Sequence, residues 1–91
     1  MGAIADRIRF KLDEAFAPTR LDVQDDSAKH KGHSGAREGG ESHFSVRIVS
    51  QRFEGLNRVA RQRLVNAALA EELAGPVHAL SLQARTPGEA S

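Results

Sequence analysis

The alternation of apolar and polar positions divides the chain into five periodic segments separated by breakers. Ile4, Ile8, Leu12, Ala15 and Phe16 recur at helical spacing over residues 3–16, which predicts an amphipathic helix. Pro18 ends it, because it disfavours helical backbone at Ala17 and has no N–H to donate. Residues 20–25 set Leu21 and Val23 between polar neighbours, the period-two signature of a short strand. Residues 43–50, HFSVRIVS, alternate through Phe44, Val46 and Ile48 and predict a second strand. Gly55 turns the chain and Asn57 offers a side-chain oxygen as a helix N-cap. The following RVARQRLVNAALAEELA places Ala60, Leu64, Val65, Ala68, Leu69 and Leu73 on one face of a second helix, closed by Gly75 and Pro76. A third strand is predicted over 77–84, with RTPGEAS at 85–91 as a frayed tail.

Residues 26–42, DSAKHKGHSGAREGGES, contain four glycines, mixed charge and no large apolar residue. Such a stretch has nothing to bury and predicts a long mobile loop. The resulting order is α-β-β-α-β. The first two strands are most simply antiparallel, and the strand–helix–strand unit from 43 to 84 makes strands two and three parallel. The expectation is an α+β fold: a two-layer sandwich in which both helices cover one face of a three-stranded mixed sheet.

Length fits a single domain spanning 1–91, with a small core built from a composition that is 40% hydrophobic. The absence of cysteine excludes a disulfide framework, thiol chemistry and thiolate ligands from this chain, and it suits a reducing compartment. The N-terminal segment has no long apolar core and carries Asp6, Asp13 and Glu14, which argues against a signal peptide, a transit peptide and a membrane span. Met1-Gly2 is followed by Asp6 where a myristoylation motif needs Ser or Thr. A cytoplasmic protein without a membrane partner is expected. With a net charge of +1, only local charge patterns can point to a ligand.

Histidine is the first such pattern. His78 shares its parity with Leu80 and Leu82, so a regular strand would turn it towards the core. Parallel strands begin at the same end of a sheet, which brings His78 near His43, and the 26–42 loop directs His30 and His33 to that end as well. Neutral imidazole is a ligand for iron, zinc and copper. Lys29 and Lys31 flank His30 and disfavour its protonation, keeping a lone pair available. A core histidine and a ligand histidine both fit the sequence at His78, and His43 reads best as an exposed strand residue.

The second pattern lies on the second helix. Arg58, Arg61 and Arg63 occupy its first two turns and Glu71 and Glu72 its last, the reverse of what the helix dipole favours. With Arg52 in the preceding turn, these arginines form either a solvated helix face or a patch for phosphate or carboxylate. Ser50, Ser81 and the histidines form no nucleophile motif, and GAREGG lacks the Lys-Ser/Thr ending of a phosphate loop, so no enzyme is expected.

Residues 41–87 resemble the BolA-like family through the strand HFSVRIVS, the turn RFEG, the helix RLVNAALAEEL and the closing VHAL. The upstream LDVQDDSAKH extends the resemblance over nearly the whole chain. It implies a fold similar to the type II KH domain without the Gly-x-x-Gly nucleotide clamp, which is absent here too. It also implies a partner, a monothiol glutaredoxin, and a [2Fe-2S] cluster shared with the glutaredoxin and its glutathione. The VHAL histidine, the family's cluster ligand, maps onto His78. The second ligand comes from the loop between the first two strands and maps onto His30, with His33 as the alternative in a loop longer than in many relatives. The family's helix usually reads RHR where this chain has Arg61-Gln62-Arg63. Some bacterial members are described as DNA-binding transcription regulators, a role that Arg52, Arg58, Arg61 and Arg63 would serve.

Overall fold

The computed structural model describes residues 2–26 and 43–90. The predicted mobile loop lies outside the described residues apart from Asp26, and so do His30 and His33. Helix α1 (Ala3–Phe16) leads into strand β1 (Arg20–Asp25), and strand β2 (His43–Val49) runs through a 3-10 turn (Gln51–Phe53) into helix α2 (Arg58–Ala68). A further turn of helix, α3 (Ala70–Ala74), precedes strand β3 (Ala79–Arg85) and the short helix α4 (Pro87–Ala90). The sheet has the order β1-β2-β3, with β1 antiparallel to β2 and β2 parallel to β3. That is the expected three-stranded mixed sheet.

The core forms where α1 and α2 lie over the sheet. Ile8 and Leu12 of α1, Phe44, Val46 and Ile48 of β2, and Val65 of α2 are buried together with Phe53 and Leu69. Strand β2 is central, so its even-numbered residues enter the core and its odd-numbered side chains stand on the open face. At the far end of β2 the rings of Phe16 and Phe53 lie 5.1 Å apart, joining α1 to the 3-10 turn. Ser50 is wholly buried beside them. Its Oγ donates to the Phe16 carbonyl at 2.7 Å and accepts from the Arg52 N–H at 3.1 Å. The serine thus satisfies the end of α1 and starts the next turn.

Local chemistry explains the junctions. Ala17 adopts a left-handed conformation (φ 44°) and donates its N–H to the Asp13 carbonyl, a helix C-cap that glycine usually fills. Gly55 has φ 78° and the Leu56 N–H donates to the Phe53 carbonyl, so RFEG forms a turn that favours glycine at this position. Asn57 caps α2 as expected, its Oδ1 accepting from the Ala60 N–H at 2.9 Å.

Three expectations are corrected. The predicted helix over 58–74 is interrupted at Leu69, whose φ and ψ of -107° and 23° leave the helical region. Its supposed core face is narrower than the periodicity implied: Val65 and Leu69 are buried, while Leu64 is 43% exposed. The tail is not frayed. Arg85 ends β3, Thr86 is buried, and the segment from Thr86 through Ala90 is fixed by reciprocal capping. The Thr86 N–H donates to Glu89 Oε1 at 2.9 Å and the Glu89 N–H donates to Thr86 Oγ1 at 3.3 Å.

The interruption at Leu69 also changes the meaning of the acidic pair. Glu71 and Glu72 lie in the first turn of α3 instead of the end of a long helix. Glu72 is fully buried, with Oε2 at 2.9 Å from Arg7 Nη2 and 2.8 Å from Lys11 Nζ, and Lys11 also meets Glu71 at 2.7 Å. Burial pushes the Glu72 carboxyl up. The Lys11 hydrogen bond, a backbone hydrogen bond and the nearby cationic charges outweigh burial and hold it below the ordinary range. This cluster joins α3 to α1.

Candidate functional site

The parallel pairing of β2 and β3 brings two histidines together at one end of the sheet. His43 opens β2 and is in register with Ala79, the residue after His78. The imidazole centroids lie 6.5 Å apart with the rings inclined by 20°, and both side chains are exposed. His78 therefore does not face the core, contrary to its parity with Leu80 and Leu82. The reason is local: β3 begins at Ala79, and Val77 is the residue that enters the core at 4% exposure. The Val77 N–H donates to the Glu72 carbonyl at 2.9 Å, fixing the chain just before it turns outward at His78.

This placement suits an imidazole that meets another molecule. His78 presents its ring at the surface, while the neighbouring Val77 anchors the backbone. His43, set aside in the sequence as an ordinary strand residue, stands beside it. The pair follows from the parallel pairing expected from the sequence, which aligns the openings of β2 and β3. Among the described residues no group of three or more His, Cys, Asp or Glu is arranged to hold a metal ion.

The arginines occupy the opposite end, past the last residue of β2. Arg52, Arg58 and Arg63 are exposed, but Arg61 is not part of an open patch. Its Nη1 and Nη2 donate to Glu89 Oε1 and Oε2 at 2.7 and 3.1 Å. Its Nε donates to the Leu56 carbonyl at 2.9 Å and its Nη1 also to the Ala84 carbonyl at 3.0 Å. The Arg61 hydrogen bond, followed by the Thr86 backbone N–H, lowers the Glu89 carboxyl to about 2. Arg61 is a staple between α2, β3 and α4. A groove of about 540 Å³ remains between α2 and β3, with Arg58, Gln62 and Arg85 among its lining residues and Val59 exposed beside them. No described helix is long and apolar enough to cross a membrane.

Comparison with known proteins places the chain in one family. The family described as BolA-like protein matches residues 12–89. The chain is 51% identical over 89 residues to BolA-like protein 1 of Homo sapiens, covering 98% of this chain and 62% of that protein's length. It is 46% identical over 86 residues to a Vibrio cholerae protein named DNA-binding transcriptional regulator BolA, covering 94% of this chain and 77% of that protein. Among solved structures, BolA1 from Arabidopsis thaliana superposes with a TM-score of 0.86 at 44% identity, covering 98% of this chain and 97% of that one.

Proposed function

Because the chain belongs to the BolA-like family, we propose that it is a non-enzymatic partner of a monothiol glutaredoxin, lending imidazole ligands to a shared [2Fe-2S] cluster. The observation that carries this reading is the exposed, backbone-anchored His78 at the sheet end where β2 and β3 begin. His78 supplies the fixed ligand, and His30, with His33 as the alternative, supplies the second. The glutaredoxin and its glutathione each contribute a thiolate, which this cysteine-free chain cannot. Two imidazoles replacing two thiolates on one iron raise the cluster's potential relative to all-cysteine ligation. We place this activity in the cytoplasm and assign it to iron–sulfur trafficking or iron and redox regulation.

The test is visible circular dichroism of complexes reconstituted side by side from this protein, a monothiol glutaredoxin, glutathione, iron and sulfide. His78→Ala is expected to abolish the native cluster signal, His30→Ala to reduce it partly, and His43→Ala to leave it largely intact. A wild-type spectrum from His78→Ala would overturn the reading. Loss with His43→Ala as complete as with His78→Ala would move the second ligand from the loop to β2.

A second reading, DNA binding, is favoured by the exposed Arg52, Arg58 and Arg63 and by the name of the Vibrio cholerae relative. Phosphate contacts through those side chains make binding fall steeply with salt. Arg58→Ala with Arg63→Ala is then expected to weaken duplex binding and flatten its salt dependence while the cluster signal persists.

A further inference from the structure

The face of the sheet turned away from the helices carries a separate group of cations. Arg20 on β1, Arg47 on β2 and Arg85 on β3 all stand exposed on it. Register places Arg20, Val49 and Arg85 in one row across the strands, and Asp22, Arg47 and Gln83 in the next. The arginines line a depression of about 140 Å³ together with Gln83 and Val49.

No two of the arginines are directly opposite in register; Arg47 faces Asp22 and Gln83 and is the diagonal neighbour of both Arg20 and Arg85, within reach of side chains this long. One carboxylate lies within the rows. Asp22 Oδ2 takes Arg20 Nε at 3.1 Å, not Arg47 in register with it. The guanidinium groups of Arg47 and Arg85 have no ion pair or hydrogen bond among the described residues. Two unengaged forks and a third that is partly engaged therefore converge from three adjacent strands onto one depression, whose floor includes an apolar side chain.

We propose that this depression binds the phosphate group of a small ligand. A carboxylate has two coplanar oxygens and is satisfied by a single guanidinium fork. Phosphate carries oxygens in several directions and up to two negative charges, which suits forks arriving from three strands. The hydrogen-bonded strands hold the arginine backbones in place, so little reorganisation accompanies binding. The site lies at the end of β2 remote from His43, about 20 Å away at the rise of a strand, and does not depend on the cluster reading.

The test is an NMR titration of the full chain with inorganic phosphate and, separately, glycerol 3-phosphate, at constant ionic strength set with chloride. Saturable shifts at Arg20, Arg47, Gln83 and Arg85 are expected. Tighter binding of inorganic phosphate would identify a free phosphate as the source, and tighter binding of glycerol 3-phosphate an esterified one such as a headgroup. R47Q/R85Q should weaken binding by about tenfold or more, and R47K/R85K, which keeps the charge but loses the fork, by less. D22N, which frees Arg20, should tighten it. Thermal melting confirms that each variant is folded, as expected for exposed positions. Absence of saturable shifts with either probe would overturn the proposal. So would unchanged affinity in R47Q/R85Q, or shifts confined to Arg58 and Arg63.

Discussion

A single hydroxyl holds the junction between α1 and the turn after β2. Ser50 is fully buried and its Oγ serves both the Phe16 carbonyl and the Arg52 N–H. Ser50→Ala leaves both groups without that partner, and a loss of about 1–3 kcal/mol in denaturant unfolding is expected. Ala17 makes the opposite case. Its left-handed backbone disfavours any side chain, so Ala17→Gly relieves strain worth about 1–2 kcal/mol against roughly 0.4–1 kcal/mol of added unfolded-chain entropy. A net gain of about 0.5 kcal/mol, read as a higher melting temperature, is the expected outcome. Glu72 shows where sequence reading falls short at this scale. Its charge looked misplaced because the cations that receive it, Arg7 and Lys11, are over sixty residues away in the chain. Glu72→Ala leaves Arg7 and Lys11 without that partner but still in reach of solvent, so a loss of about 1.5–3 kcal/mol, the range for hydrogen bonds to charged groups, is expected in denaturant unfolding.

At the scale of elements, the long periodic segments were legible and the short ones were not. Helix α1 and strand β2 carry their patterns over enough residues for one period to dominate, and Gly55 and Asn57 mark the passage from β2 to α2 by chemistry specific to those positions. Helix α4 has no apolar face, so periodicity passes over it. Its signal was present in another form: Thr86-Pro87-Gly88-Glu89 is a capping box with proline at the first helical position. The break at Leu69 left no such mark, since no glycine or proline stands there. The α4 clamp also carries a pH dependence. The folded Glu89 carboxyl sits at about 2, held down by Arg61 and the Thr86 N–H, whereas an unfolded glutamate titrates near about 4.3. The unfolded chain binds the extra proton between those values, so the contribution is complete above about 4.3 and disappears as pH falls towards about 2. Amide protection factors at Thr86 and Glu89, normalised to the intrinsic exchange rate at each pH, should fall over that interval in the wild type, and Arg61→Gln, which raises the folded value towards the unfolded one, should shrink the fall and end it at higher pH.

For the whole molecule, topology did more than any residue pattern to locate the histidine site. The order α-β-β-α-β and the parallel pairing of β2 with β3 could be reasoned from connection lengths, and together they align the ends where His43 and His78 lie. The outward turn of His78 could not, because it depends on where β3 begins and on Val77 taking the core position. That separation of anchor from exposed ring predicts a separation of effects. His78→Ala should change folding stability by no more than about 0.5 kcal/mol while removing the cluster signal, and Val77→Ala should destabilise the fold by about 1–3 kcal/mol. Chemical denaturation and visible circular dichroism measured on the same preparations distinguish the two.

The staple formed by Arg61 has a counterpart across the sheet. Arg61 donates to the Ala84 carbonyl on β3, and Arg9 donates to the Val23 carbonyl on β1 at 3.3 Å. These are the two border strands of the sheet, and each has a helix-borne cation seated on its backbone. An incoming extended segment would have to displace a guanidinium to lengthen its ladder at either margin, and it would meet a charged side chain there first. The sheet is thereby guarded against growing by strand addition, into self-assembled ribbons or onto a visiting peptide.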